Sequence, residues 1–292
     1  MFDFVNADLS KLSYAQEAMR TESIVGSDRV FGTFFIWNAS YNSKIAKYDS
    51  YPIIRYGRND FHFYVPLYKD KTKEMFEALI EFSKKENVKC SFGSIYEEDL
   101  EYIENLFPGK FEFIENRNYF DYIYKTENLA LLSGRKYHSK RNHISKFKKL
   151  YSYEYIPFTK DNISVCNEIM EEWCSEKEDP YEYDGEKLAI KRAAEYFEEL
   201  SLIGGYIKVD GKPCAFNISE VVNSRLVDSH FEKALSGYDG LYAVINNEFA
   251  KTILGKYEYI NREEDMGIEG LRKAKLSYYP DILLKKYNLK LK

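Results

Sequence analysis

Asp228, His230 and Glu232 alternate along the segment RLVDSHFEKA, with Val227, Ser229 and Phe231 between them. Successive side chains of a strand point to opposite faces, so the three titratable groups share one face. Carboxylates and an imidazole in that arrangement can orient an attacking amine or hydroxyl and take its proton, if one lies within hydrogen-bond reach. The same face could equally be a satisfied polar network or a solvated sheet surface. Immediately downstream, Ser236, Gly237 and Gly240 make a turn between this strand and the amphipathic run LYAVINNEFAKTIL. Amides freed in a glycine turn at a helix start can hold an anion, although two glycines also make a simple tight connection.

Two basic segments complete the chemistry-bearing set. Seven of the fifteen positions from Arg135 to Lys149 are Lys or Arg, in a chain of formal net charge -5. Wound as a helix, this stretch puts Tyr137, Ile144, Phe147 and Tyr151 on one face, and Arg141, Asn142, Lys146 and Lys149 on the other. Like charges at helical spacing repel by roughly 0.2–0.5 kcal/mol per pair, a modest cost that a bound polyanion would reverse. A solvated helix face and an anion site, either nucleic acid or a phosphorylated cofactor, both fit. The second segment, NREEDMGIEGLRKAKLSYYP, carries charges on both sides of Met266–Gly267 and leads into a helix with Arg272, Lys273 and Lys275. An ion-pair network capping that helix is its plain reading. Surface pairs of that kind contribute only about 0–1 kcal/mol each.

The composition is that of a folded protein: 45% hydrophobic, 30% charged, with 27 Tyr and 20 Phe in 292 residues. Cys90, Cys166, Cys174 and Cys214 are scattered without a CxxC spacing. Neither a zinc site nor a disulfide framework is therefore expected, and the site is expected to need no metal. No apolar run reaches the length of a membrane span, and the N-terminus lacks the basic start and apolar core of a signal peptide. A cytoplasmic location is the expectation.

The elements that must position these residues fall into two successive α+β passes. The first has strands at Ile45–Tyr48, Tyr51–Tyr56 and Phe61–Pro66, with the GRND turn between the last two. A helix over Thr72–Glu86, the strand VKCSFGS, a helix over Glu97–Phe107 and the strands FEFIE and NYFDYIY follow. The second pass begins with the basic helix, 135–150. It continues with the strand YEYIPF, a helix capped at Thr159, an acidic loop and a helix over Leu188–Leu200. Three strands then join through turns at Asp210–Gly211 and Asn223–Ser224. After LYAVINNEFAKTIL come the strand YEYIN and a final helical region ending in LLKKYNLKLK. The boundary is expected near residue 125, giving units 1–125 and 126–292 that pack together. The first unit has no comparable acid/base strand or glycine turn and is expected to be a degenerate partner.

Taken together, GRKYHSKRNHISKFKK, DSHFEKALSGYDGLYAVINNEFAK and above all NREEDMGIEGLRKAKLSYYP resemble the DUF2156 group. That group is similar to the C-terminal domain of phosphatidylglycerol lysyltransferases and, more distantly, to Fem-type aminoacyltransferases. The resemblance implies an α+β fold of two tandem GNAT-like (acyl-CoA N-acyltransferase) units, with mixed, mostly antiparallel sheets flanked by helices. It also implies acyl or aminoacyl transfer from a phosphate-rich donor, aminoacyl-tRNA or acyl-coenzyme A, to an amine or hydroxyl, with no tightly bound cofactor. On that reading Asp228, His230 or Glu232 is the base or orienting group. Ser236, Gly237, Gly240, Lys140, Arg141, Lys146, Arg272 and Lys275 would hold the donor. A coenzyme-A-dependent N-acetyltransferase and a non-catalytic protein binding an RNA end or a phosphometabolite are the alternatives.

Overall fold

The computed structural model describes residues 2–6, 15–19, 21–57, 60–64 and 71–292. The first pass contains β1 (Val5–Asn6), α1 (Phe31–Ile36), α2 (Asn38–Tyr41), β2 (Lys44–Tyr48), β3 (Tyr51–Tyr56) and β4 (Phe61–Tyr64). It continues with α3 (Thr72–Lys85), β5 (Cys90–Tyr96), α4 (Leu100–Leu106), β6 (Phe111–Glu115) and β7 (Asp121–Lys125). The second contains α5 (Thr126–Leu131), α6 (His138–Leu150), β8 (Tyr153–Pro157), α7 (Val165–Ser175), α8 (Asp184–Glu195), β9 (Leu202–Val209) and β10 (Lys212–Val221). β11 (Leu226–Ala234), α9 (Leu241–Ile253), β12 (Tyr259–Asn261), α10 (Glu269–Leu276), β13 (Ile282–Leu284) and β14 (Lys286–Leu291) complete it. Val65 and Pro66 of the expected third strand, and Arg58 and Asn59 of the GRND turn, lie outside the described residues.

The strands form two sheets, ordered β1-β2-β3-β4-β5-β14-β6 and β13-β7-β12-β11-β10-β9-β8. Each has one parallel pair, β4–β5 in the first and β11–β12 in the second, while the other pairings are antiparallel. A parallel pair needs a crossover, and α3 and α9 supply it. The sheets exchange strands across the expected boundary. β7 pairs with β12 in the second sheet, and the chain's last strand, β14, pairs with β5 in the first. In each sheet the strand beside the parallel pair thus comes from the other half.

Local chemistry sets the joints. Asp210 (φ +50) and Gly211 (φ +84) form the two-residue turn between β9 and β10. Asn223 closes the β10–β11 hairpin by accepting from the amides of Arg225 and Leu226, 2.8 Å each. α6 buries Ile144 and Phe147 and ends on Lys148 and Lys149, which face the negative end of its dipole. One core cluster runs from Phe31, Phe34 and Phe35 through Tyr122 and Tyr124 to Phe216, Phe231 and Val244, so the two units share a core.

Three elements differ from the sequence reading. LLKKYNLKLK forms β13 and β14 instead of a helix end, because β14 is sandwiched between β5 and β6. Thr159 caps no helix: α7 starts at Val165, and the Thr159 amide donates to Asn162 in a turn. The helix expected at Leu188–Leu200 begins at Asp184 and ends at Glu195.

Candidate active site

β11 and β12 pair only at Leu226–Tyr259, Val227–Ile260 and Asp228–Asn261. Beyond that point β11 continues to Ala234, paired on its other edge with β10, while β12 has ended. The parallel pair therefore opens into a wedge. Ser229–Ala234 lie on one arm and Arg262–Asp265 on the other. Two charged contacts cross it: His230 Nδ1 to Glu263 Oε1 at 3.1 Å, and Arg262 Nη2 to Glu232 Oε1 at 2.7 Å.

His230 is held from both sides. Its Nε2 lies 3.1 Å from Glu220 Oε2 on β10, and Asp228 Oδ2 is 3.7 Å from Nδ1. Burial alone would favour the neutral ring, but hydrogen bonds to Glu220 and Glu263 outweigh it, and the imidazole is raised well above its ordinary range. As an imidazolium it donates from both nitrogens and offers no lone pair, so it cannot serve as a base in this state. Asp228 is fully buried. Burial first, then the charge of Glu263, raises its carboxyl well above the usual range. Thr33 Oγ1, from α1 of the first unit, donates to Asp228 Oδ2 at 3.4 Å, while Oδ1 has no hydrogen-bond partner among the described residues. Asp228, His230 and Glu263 bring potential ligand atoms within 4.8 Å of one another, a spacing that a cation could bridge. Gly32 makes the cluster possible: a Cβ there would lie 1.7 Å from Glu220 Oε2.

Glu232, expected beside His230 as an acid/base group, is instead engaged by Arg262 and by Asn246 Nδ2, which donates to Oε2 at 3.1 Å. Residues from both units close the other side of the wedge. Lys286 of β14 reaches Asp121 Oδ1 (2.8 Å) and Asp28 Oδ1 (2.9 Å). Asp121 also accepts from the Ser27 amide and from Asn261 Nδ2. Against this cluster sits Glu264, whose Oε2 accepts from Ser27 Oγ at 3.4 Å. Burial, then Asp121 and Glu263, push its carboxyl up to about 7, with Lys286 opposing.

The expected donor-holding cations are placed differently from the sequence reading. Arg272 makes a two-pronged contact with Asp265, with Nε to Oδ2 at 2.9 Å and Nη2 to Oδ1 at 2.8 Å. Lys275 is buried and donates to the backbone carbonyls of Arg262, Glu263 and Glu264. Both fix the segment that carries the wedge's second arm. Arg141, expected to be free, donates from Nη1 to the carbonyls of Leu132 (2.5 Å) and Gly134 (2.7 Å), closing the end of α5. Lys146 is paired with Asp239 at 2.7 Å, which ties the basic helix to the glycine turn.

In that turn the Ser236 amide donates to the Glu176 carboxylate at 3.1 Å. Gly240 (φ +90) passes so close to α6 that a Cβ would lie 2.9 Å from the His143 carbonyl, whereas at Gly237 a Cβ would meet nothing within 4 Å among the described residues. Of the basic helix's expected site residues, Lys140 alone faces the wedge. Its Nζ lies 3.9 Å from the centre of the Tyr278 ring, beside Arg262 and Glu232.

Sequence reasoning missed Glu220, Arg262, Glu263 and Glu264 as individual residues. The last three lie within the NREED segment singled out for its charge. Glu220 left one signal: it is the only acidic residue in β10, a strand that is otherwise buried nearly throughout.

A family described as phosphatidylglycerol lysyltransferase, C-terminal, matches residues 21–290. A conserved protein of unknown function from Bacteroides thetaiotaomicron is 35% identical, with a TM-score of 0.92 over 100% of both chains. The C-terminal domain of a putative lysylphosphatidylglycerol synthetase from Agrobacterium fabrum superposes with a TM-score of 0.67 at 12% identity, covering 97% of this chain and 92% of that one. FemX does so with a TM-score of 0.59 at 8% identity, covering 98% and 96%. The fold is thus the tandem GNAT-like one. An uncharacterized protein of Mycoplasmoides gallisepticum is 24% identical over 172 residues, 58% of this chain and only 56% of that protein's length.

Proposed function

The chain belongs to the phosphatidylglycerol lysyltransferase C-terminal family, and we propose that it is an aminoacyltransferase, moving an aminoacyl group from aminoacyl-tRNA to an amine or hydroxyl at the seam between its two units. Family and fold support a transferase. The observation that favours an aminoacyl group is the wall around His230. There the carboxylates of Glu220 and Glu263, with Glu264 beyond, exceed the single charge of one imidazolium. An ammonium group on the incoming acyl chain relieves that excess, and a neutral acyl group does not.

The unpaired edge of β11 would otherwise suit an extended acyl-carrier arm. The His230–Glu263 and Arg262–Glu232 contacts cross that edge, which disfavours acyl-coenzyme A.

The reaction needs little else. The acceptor's nitrogen or oxygen attacks the ester carbonyl, a new C–N or C–O bond forms, and the bond to the ribose oxygen breaks. Glu264, with its carboxyl near 7, takes the acceptor's proton and returns it to the leaving hydroxyl. Asp228, His230 and Glu232 shape and charge the wall, and the first unit contributes Ser27 and Thr33 without chemistry of its own. The cytoplasm, where charged tRNA is made, is the proposed location. No helix among the described residues is long and apolar enough to cross a membrane.

Single-turnover incubation with charged tRNA pools, and separately with labelled acyl-coenzyme A, tests the reading. Labelled aminoacyl transfer to an amine, peptide or lipid acceptor is expected. Transfer from acyl-coenzyme A alone, or none from any donor, would refute it.

A further inference from the structure

We propose that Lys140 and Arg262, held against the ring of Tyr278, form a binding subsite for a single phosphate group between the basic helix and the wedge. Three observations carry this. Lys140 makes no ion pair or hydrogen bond among the described residues, and its Nζ rests 3.9 Å from the Tyr278 ring centre. Arg262 lies over the same ring, 5.1 Å from its centre. Its Nη2 is taken by Glu232, but Nη1 is buried without a hydrogen-bond partner among the described residues. Glu232, the carboxylate near both cations, is used up, one oxygen on Arg262 and the other on Asn246.

Two cations and one carboxylate therefore share a half-buried site with a positive remainder. Such a remainder is costly where water is scarce. Burial first, then the charge of Arg262, lowers the Lys140 ammonium to about 8, while Glu232 opposes the change. The ring that backs both cations is fixed before any ligand arrives. Tyr278 is buried, and the hydroxyl of Tyr137 donates to its carbonyl at 3.1 Å. A phosphate supplies what the site lacks: negative charge beside both cations and several acceptor oxygens for the ammonium and the unpaired guanidinium N–H. A carboxylate supplies less charge and fewer acceptors.

The other cations that sequence reasoning assigned to the donor do not compete. Lys146, Arg272 and Lys275 are satisfied within the fold, and Arg141 holds two carbonyls. The subsite lies two residues along β11 from the acidic wall at His230, so the wedge is positive at one end and negative at the other. A donor carrying both an ammonium and a phosphate would span it. That last step rests on the aminoacyl-transfer reading, whereas the subsite does not.

The test is protection of Lys140 from an amine-selective acylating probe, read residue by residue by peptide mass spectrometry of the full chain. The ligands are AMP, glycerol 3-phosphate and acetate. Phosphate esters are expected to slow Lys140 labelling about tenfold or more at saturation, while Lys146, already paired, is unaffected and acetate protects little. AMP protecting more strongly than glycerol 3-phosphate supports a nucleotide-bearing ligand, and the reverse order supports a lipid headgroup.

Lys140→Gln should weaken AMP binding about tenfold or more, the loss of one charge-assisted contact, with Lys140→Arg restoring most of it. Absence of protection by every phosphate ester, or equal protection of Lys140, Lys146 and Lys149, overturns the subsite. Protection without aminoacyl transfer keeps the subsite and removes the functional reading. Transfer without protection does the opposite.

Discussion

Gly32 offers the sharpest test of the site's architecture, because one added carbon atom strikes the carboxylate that holds His230. In Gly32→Ala the new Cβ would lie 1.7 Å from Glu220 Oε2 and 2.6 Å from Cδ. Such contacts cannot persist, so the carboxylate must withdraw by more than an ångström. That takes it out of reach of His230 Nε2, now 3.1 Å away. Losing a buried hydrogen bond to a charged group costs about 1.5–3 kcal/mol. Against this, replacing Gly by Ala within α1 gains up to about 1 kcal/mol of helix propensity. The loss wins, and the expected net destabilisation is about 0.5–2 kcal/mol.

A urea titration should show a lower midpoint with an unchanged slope. Gly270→Ala in α10, where a Cβ meets nothing within 4 Å, should instead leave stability unchanged or raised. The second readout is specific to the mechanism. With Glu220 displaced, burial prevails over the remaining Glu263 bond, and the His230 titration followed by NMR should fall toward or below the ordinary imidazole range. The reasoning is refuted if Gly32→Ala is as stable as Gly270→Ala and His230 titrates as in the parent protein.

Glu264→Gln should abolish or sharply slow aminoacyl transfer yet stabilise the fold at alkaline pH. The Glu264 carboxyl is raised to about 7 in the folded chain. Its contribution is therefore fully present below the ordinary value near 4.5 and is lost as pH rises through 7. Paired denaturation curves at acid and alkaline pH check the sign. Lys286→Met leaves Asp28 and Asp121 without their buried cation and should cost about 3–5 kcal/mol, read as a fall in the denaturation midpoint.

Arg272→Ala should destabilise the fold at neutral pH, read as a lower denaturation midpoint, because it removes the two-pronged contact with Asp265. Burial opposes the charge on Asp265, but Arg272 and Tyr122 outweigh it and hold the carboxyl below its ordinary range. Stability from that depressed carboxyl is present above the ordinary value and lost as pH falls. The variant's acid-side loss should accordingly be shallower than the parent's.

What the sequence disclosed and what it hid divide along one physical line, the range over which each signal acts. Period-two alternation put Asp228, His230 and Glu232 on one face of a strand, and the Asp210–Gly211 turn placed the hairpin before it. Both are settled within a few residues of chain. β7 and β14 were different. Short-range signals can mark a strand without saying which sheet accepts it, and β7 and β14 cross to opposite halves. The ending KKYNLKLK was misread because Lys286 looks like solvent-facing charge until Asp28 and Asp121 are brought to it from more than 160 residues away.

The cations followed the same rule. Composition exposed the excess of Lys and Arg in α6 and α10, but an ammonium already held by a carbonyl and one awaiting a ligand look identical in sequence. Arg141 and Lys275 proved to be the first kind, and Lys140 makes no ion pair among the described residues. Residues that break the local pattern mark the seam most reliably. Glu220 in a buried strand and a glycine at position 32 in a helix gain nothing within their own elements. They make sense only as a pair, since the glycine leaves the space that the carboxylate fills on its way to His230.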